Sequence, residues 1–403
     1  MANVPVTTPP HARWHMLGWL CLAVVLSLSA WFSATAVAPE MTRDLALGPG
    51  SAAWLTNGVQ LGFVTGALLA SLVNLPDILR MSRLAGASAA LAALANAGLL
   101  LEPGLAGAVA CRFAAGFALA GVYPPAMKLA ATWFEKGRGL ALGLVIGALT
   151  AGSSLPHLFR GLTSSLDWRI VVELSSLCGL IGALIFLVVV REGPYPFARA
   201  IFDPRQIGQV MRNRDLALVN AGYLGHMWEL YALWAWLLAF LSASPAAFAG
   251  AATGAGSLAT FAALSAGIVG CIAGGLLSDR FGRALTTAGM MIASGSCALL
   301  VGFVFDGPFW LLMLVVLIWG MTVIGDSAQF SAAATELCER HLVGTALSLQ
   351  MGLGFALTSI SIWLMPQIAD WLGSWRWTFL FLAPGPFLGA AAMLHLHRKR
   401  ETG

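Results

Sequence analysis

Twelve stretches of about twenty residues each pass almost without a charge, and nothing else constrains this chain so strongly. They fall near 15–38, 51–75, 83–101, 104–130, 138–162 and 168–190, then near 215–241, 256–278, 284–305, 308–332, 342–368 and 376–396. Roughly 20 apolar residues carry a helix across bilayer hydrocarbon. The apolar residues are continuous instead of alternating, which excludes a lipid-facing β-barrel. Of the 403 residues 59% are hydrophobic and 10% charged, against about 25% charged in a soluble domain. Too little polar surface exists to coat a body in water, so most of the exterior faces lipid. The expectation is an all-α membrane protein of twelve transmembrane helices.

"ATAVAPE" after the first stretch offers a possible signal cleavage site, but Pro39 would follow the cut and eleven more spans come after it. A retained helix is expected. The six cysteines are scattered without CxxC or Cys/His spacing, so neither a disulfide frame nor a metal site is supported. No cofactor motif is present either.

Placing both termini in the cytoplasm puts sixteen of the 22 lysines and arginines there and four outside. That four-to-one bias is the positive-inside pattern. It accounts for the net charge of +4 without nucleic acid, for which no reading module is visible. A bacterial inner membrane is the expected location.

The longest charged stretch, "REGPYPFARAIFDPRQIGQVMRNRD", separates two sets of six spans. Landmarks recur across it: Glu135 with Glu339 at an offset of 204, Asp77 with Asp279 at 202, and Trp168/Arg169 with Trp375/Arg376 at 207. Two homologous halves are expected, 1–190 and 215–403, joined by a cytoplasmic linker at 191–214.

Between spans eight and nine, "GGLLSDRFGRALTT" packs Asp279, Arg280 and Arg283 into five positions. In lipid each charge would cost several kcal/mol, so the segment is a loop, with Gly282 permitting the reversal. Gly275-Leu-Leu-Ser-Asp279-Arg280-Phe-Gly282-Arg283 resembles the loop signature of the major facilitator superfamily, and "CRFAAGFALAG" in span four resembles its R-x-x-x-G pattern at Arg112 and Gly116. The resemblance covers the whole chain. It implies transport by alternating access, with two halves rocking about a central cavity. The first-half loop, "VNLPDILRMSR", keeps Asp77 but has Val73 and Arg80 where glycines stand in the pattern, with Arg80 and Arg83 as a shifted basic pair. By resemblance, Asp77 approaches the start of span eleven and Asp279 that of span five, where a helix N-terminus favours a carboxylate. Glu135 and Glu339 are available to pair with the loop arginines. Together these residues read as a cytoplasmic gate.

Ionisable groups inside spans are functional candidates by default. Arg112, with Tyr123 further along the same side, reads either as a cavity cation for an anionic group or as a structural arginine bonded to helix backbones. His226 and Glu229 are three apart on one face of span seven and read as a proton site or as a fixed pair. Asp326 and Gln329 in span ten read as substrate contacts or packing. Glu173, four residues after Arg169, is expected to form a local ion pair, and His157 to lie near a helix end, where reaching to the interface suffices.

No nucleotide-binding sequence accompanies the spans, so ATP-driven pumping is not expected. Nor is a nucleophile–base pattern of an enzyme present. The sequence favours a secondary transporter, functional as a monomer, that takes up a small organic anion with protons. Proton-driven efflux of amphipathic compounds is the alternative; a membrane sensor or embedded enzyme is a distant third class.

Overall fold

Inside hydrocarbon no water can satisfy the backbone, so each apolar stretch must close its own hydrogen bonds as a helix. The computed structural model describes residues 10–48, 50–73, 79–135, 137–163, 167–195, 203–244, 254–339 and 341–402. The first half contains α1 (Pro10–Leu28), α2 (Ser33–Ala36), α3 (Ala38–Asp44), α4 (Ser51–Leu72), α5 (Met81–Ala97), α6 (Gly104–Leu119), α7 (Tyr123–Trp133), α8 (Arg138–Leu162) and α9 (Arg169–Val188). A short α10 (Ile207–Arg212) lies in the linker. The second half contains α11 (Arg214–Ser242), α12 (Ala255–Phe281), α13 (Arg283–Leu300), α14 (Phe309–Gly325), α15 (Ser327–Leu337), α16 (Val343–Leu372) and α17 (Pro384–Thr402). Among the described residues, ten helical runs are long and apolar enough to cross a membrane. With α1 packed on α8 and α9, and α13 on α14 and α17, the bundle is consistent with twelve spans.

Among the described residues, three spans divide into separate α-helices, which continuous apolar patterning did not announce. The first leaves helix after Leu28 and resumes as α2 and α3. The fourth breaks between α6 and α7, the tenth between α14 and α15. Val122 precedes α7 as Asp326 precedes α15, an offset of 204, so the two halves break at matching places.

Within each half, glycines let backbones meet. A side chain at Gly116 of α6 would strike the Val59 carbonyl of α4, and one at Gly320 of α14 the Ala263 carbonyl of α12. Such close approach is how membrane helices gain packing energy when lipid is as apolar as they are. The halves meet along two seams, α8 on α12 and α4 on α16. Both seams hold polar contacts. Near the face where the chain ends lie, Ser348 Oγ donates to Ser71 Oγ at 3.2 Å. Ser154 and Ser265 hydroxyls meet at 2.9 Å. At the opposite face Arg160 pairs with Glu40 and donates to Ser257 Oγ at 2.5 Å.

On that opposite face Arg169 does not pair with Glu173. It reaches Glu102 and Asp167 instead, because Asp167 accepts the Arg169 backbone N–H at 3.0 Å and so holds its own carboxyl beside the guanidinium. That N–H, with the guanidinium behind it, keeps the Asp167 carboxyl below the usual carboxylate range.

Candidate functional site: buried charges at the helix breaks

Two of the interior ionisable groups, Arg112 and Asp326, stand against helix breaks. In the first half, residues 29–32 leave the helix and free backbone carbonyls that nothing in lipid could satisfy. Arg112 of α6, fully buried, supplies the donors. Its Nη1 donates to the Ala30 carbonyl at 2.8 Å and to Asn96 Oδ1 at 2.9 Å, and its Nη2 donates to the Trp31 carbonyl. Ser33 Oγ and the Leu55 carbonyl lie at 3.2 and 3.4 Å. Of the two readings open for Arg112, this geometry is that of a structural arginine. Tyr123 opens α7 just beyond the matching break and packs against the main core. Asn96 carries one quiet signal in the sequence, a lone asparagine in an alanine-rich span.

In the second half, α11 presents His226 and Glu229 near its middle, both about 1% exposed. They do not bond each other. His226 Nδ1 lies 2.8 Å from Asp326 Oδ1. Asp326 stands at the start of α15 but does not cap it with its side chain, which is turned to the histidine. The break places Asp326 level with His226 in mid-bundle, not toward one end of the span. Tyr223 and Phe330 close over the imidazole, with ring centroids 6.0 and 5.5 Å away. Glu229 accepts from Trp319 Nε1 at 2.7 Å and from Ser294 Oγ at 2.6 Å. Neither partner carried a sequence signal: a tryptophan and a serine in apolar spans are most often packing.

Gln329 lies apart from these groups, its Oε1 accepting from Arg283 Nη1 at 2.8 Å. That arginine also donates from Nε to Glu336 at 2.7 Å. Glu336, three residues before the expected Glu339, takes the loop arginine because a helical turn of α15 points it there; Glu339 lies beyond the helix, 3.5 Å from His341. Arg280 extends over the Phe281 ring, 5.2 Å from its centroid. Gly282, at φ +81°, makes the turn between α12 and α13 in a conformation that favours glycine. Asp279 and Arg283, with Glu336 and Arg400, border a cavity of about 530 Å³ on the face of the chain ends. Gly275 is in the last turns of α12, one turn before Asp279. Arg80 and Arg83 are exposed at the start of α5, Glu135 is exposed before α8, and Asp77 lies outside the described residues.

Long apolar helices, with buried charges at two of the helix breaks and in mid-helix on α11, suit a multi-pass membrane transporter. The sequence profile of the Major Facilitator Superfamily matches residues 20–253, more than half the chain, and the protein belongs to that family. It is a transporter and not an enzyme. Among solved structures it resembles a bacterial homologue of the human lysosomal transporter Spinster in two forms. The inward-facing, occupied form has 14% identity and TM-score 0.69, covering 96% of this chain and 97% of that one. The inward-facing, unoccupied form has 15% identity and TM-score 0.70, covering 97% and 98%. At these identities the likeness is one of fold. No curated protein matches the sequence.

Proposed function

We propose that this transporter moves a small solute across a bacterial inner membrane by alternating access, coupled to protons through His226, Asp326 and Glu229. The observation that carries the reading is the His226–Asp326 contact at 2.8 Å inside the bundle, at a helix break and three residues from a second buried carboxylate. A carboxylate is costly in a membrane interior, and here Asp326 meets His226 while Glu229 follows that histidine by one helical turn of α11. Such a set takes up a proton when it meets one aqueous side and releases it to the other. Both termini are placed in the cytoplasm by the positive-inside bias, the working unit is a monomer, and the direction is uptake, with antiport-driven efflux as the alternative.

The sequence favoured a small organic anion because Arg112 was available to grip one. Its donors are engaged by the Ala30 and Trp31 carbonyls and Asn96, so the anion loses that contact and the proton set alone supports the coupling. The gate remains part of the proposal, with Asp77, Arg80, Arg83 and Glu135 in one half and Gly275, Asp279, Arg280, Gly282, Arg283 and Glu339 in the other.

Glu229→Gln tests the coupling without collapsing the site. The amide oxygen can accept from Trp319 and the amide nitrogen donate to Ser294, so the shape and both contacts survive. In proteoliposomes the variant is expected to lose accumulation driven by a pH gradient while keeping solute exchange. Full pH-driven accumulation would refute the assignment.

A further inference from the structure

A group of buried polar side chains remains that neither the helix breaks nor the proton set uses. On α4, Asn57 and Gln60 are 4% and 0% exposed; on α8, Ser153 and His157 are 1% and 0%. Asn57 Oδ1, both polar atoms of the Gln60 amide, Ser153 Oγ and both nitrogens of His157 have no hydrogen-bond partner among the described residues. The Trp31 indole nitrogen shares that condition. Native proteins rarely leave so many buried polar atoms unpaired, and each one asks for an explanation.

Their placement supplies it. Gly62 and Gly66 turn one side of α4 onto α6. At 100° per residue Gln60 lies nearly opposite, on the side where Thr56 meets Thr35 of α2 at 2.9 Å and Phe63 meets Trp31 at 4.9 Å. On α8, Gly152 faces α1 and Ser154 bonds Ser265 of α12. Ser153 points between those two directions, and His157 is one turn further on the same stripe. Helix α2 packs on both α4 and α8. The two polar pairs therefore flank the break in the first span, where the halves meet, and Trp31 stands there with its ring stacked 5.8 Å from Tyr231 of the other half.

We infer that Asn57, Gln60, Ser153 and His157, with Trp31, form the specificity site for an uncharged solute carrying hydroxyl or amide groups and an apolar face. The inference rests on the transport reading above and adds the class of the solute. The set mixes donors with acceptors and carries no fixed charge. A carboxylate accepts only, so it would leave Asn57 Oδ1 and one atom of the Gln60 amide facing a like partner. A hydroxyl both donates and accepts and satisfies either. Trp31, packed with Phe63, Tyr231 and Phe355, belongs to an aromatic wall for the apolar side, as in most small-molecule sites, where a few placed polar groups sit among aromatic ones.

The test uses the purified full-length transporter in detergent with two probes of similar size, phenyl β-D-glucopyranoside and benzoate. The glucoside is expected to raise the thermal midpoint at millimolar concentration and to quench tryptophan fluorescence, while benzoate does neither. Gln60→Leu removes an unpaired buried amide, so the apo protein keeps or gains stability, yet glucoside binding should weaken by about tenfold or more. Ser153→Ala should weaken it less. Stabilisation by benzoate and not by the glucoside would overturn the class, as would no response to either. Glucoside binding unchanged in both variants would overturn the residues, and a lowered apo midpoint in Gln60→Leu would make the amide structural. Uptake of the glucoside by proteoliposomes is measured separately. Binding that depends on Gln60 without uptake would leave this site standing and remove the transport reading.

Discussion

Replacing Arg112 with leucine should destabilise the protein in a way that can be counted from its contacts. Three buried acceptors lie nearest the guanidinium, closer than Ser33 Oγ and the Leu55 carbonyl: the Ala30 and Trp31 carbonyls and Asn96 Oδ1. Ser33 Oγ lies within reach of two of them, the Ala30 carbonyl and Asn96 Oδ1, but its one proton can serve only one at a time. Without the arginine, two of the three acceptors stay unpaired. Each such loss costs about 1–3 kcal/mol, giving roughly 2–6 kcal/mol, a large part of the 5–15 kcal/mol that holds a typical domain together. At ~2 °C per kcal/mol for a large protein, the thermal midpoint should fall by about 4–12 °C. Arg112→Lys keeps the charge but not the planar fork, so its midpoint should lie between the two. Fluorescence-detected size-exclusion after graded heating reads all three proteins. A leucine variant within about 2 °C of the parent that had nonetheless lost solute binding would refute the structural reading and return the arginine to the solute.

Glu229→Gln should uncouple transport from the pH gradient while preserving exchange, as argued above, and its thermal midpoint should stay near the parent's. Gly320→Val should lower the yield of folded protein, because the new side chain meets the Ala263 backbone of α12 and forces apart helices held by close approach; normal expression and an unchanged midpoint would contradict the packing. Asp279→Asn should shift the population toward the state open on the face of the chain ends, read as slower cross-linking of cysteines placed at Ser71 and Ser348, which now meet at 3.2 Å. Unchanged cross-linking would count against a latch at Asp279. Stability should hardly move, since exposed charges contribute about 0–1 kcal/mol.

The sequence by itself determined the class. Twelve apolar stretches, the duplicated landmarks and the loop around Asp279 led to a two-half helical transporter, because hydrocarbon leaves a chain few ways to satisfy its backbone. It also picked out Arg112, His226, Glu229 and Asp326, because a charge in an apolar span stands out. Their partners were decided only by tertiary structure. His226 met Asp326 and not its neighbour Glu229, since a break one hundred residues downstream set the height of Asp326 in the bundle. Glu229 found Trp319 and Ser294 on two other helices. Gln329, open in the sequence between solute contact and packing, accepts from Arg283. His157, expected to reach an interface, is buried beside the seam, and neither nitrogen has a partner among the described residues. Hydropathy records how much of each helix leaves water, but not how far the helix is rotated or where it breaks. Those are settled by which backbones can come close enough to touch, and on them depends which polar group finds a partner and which is left for a solute.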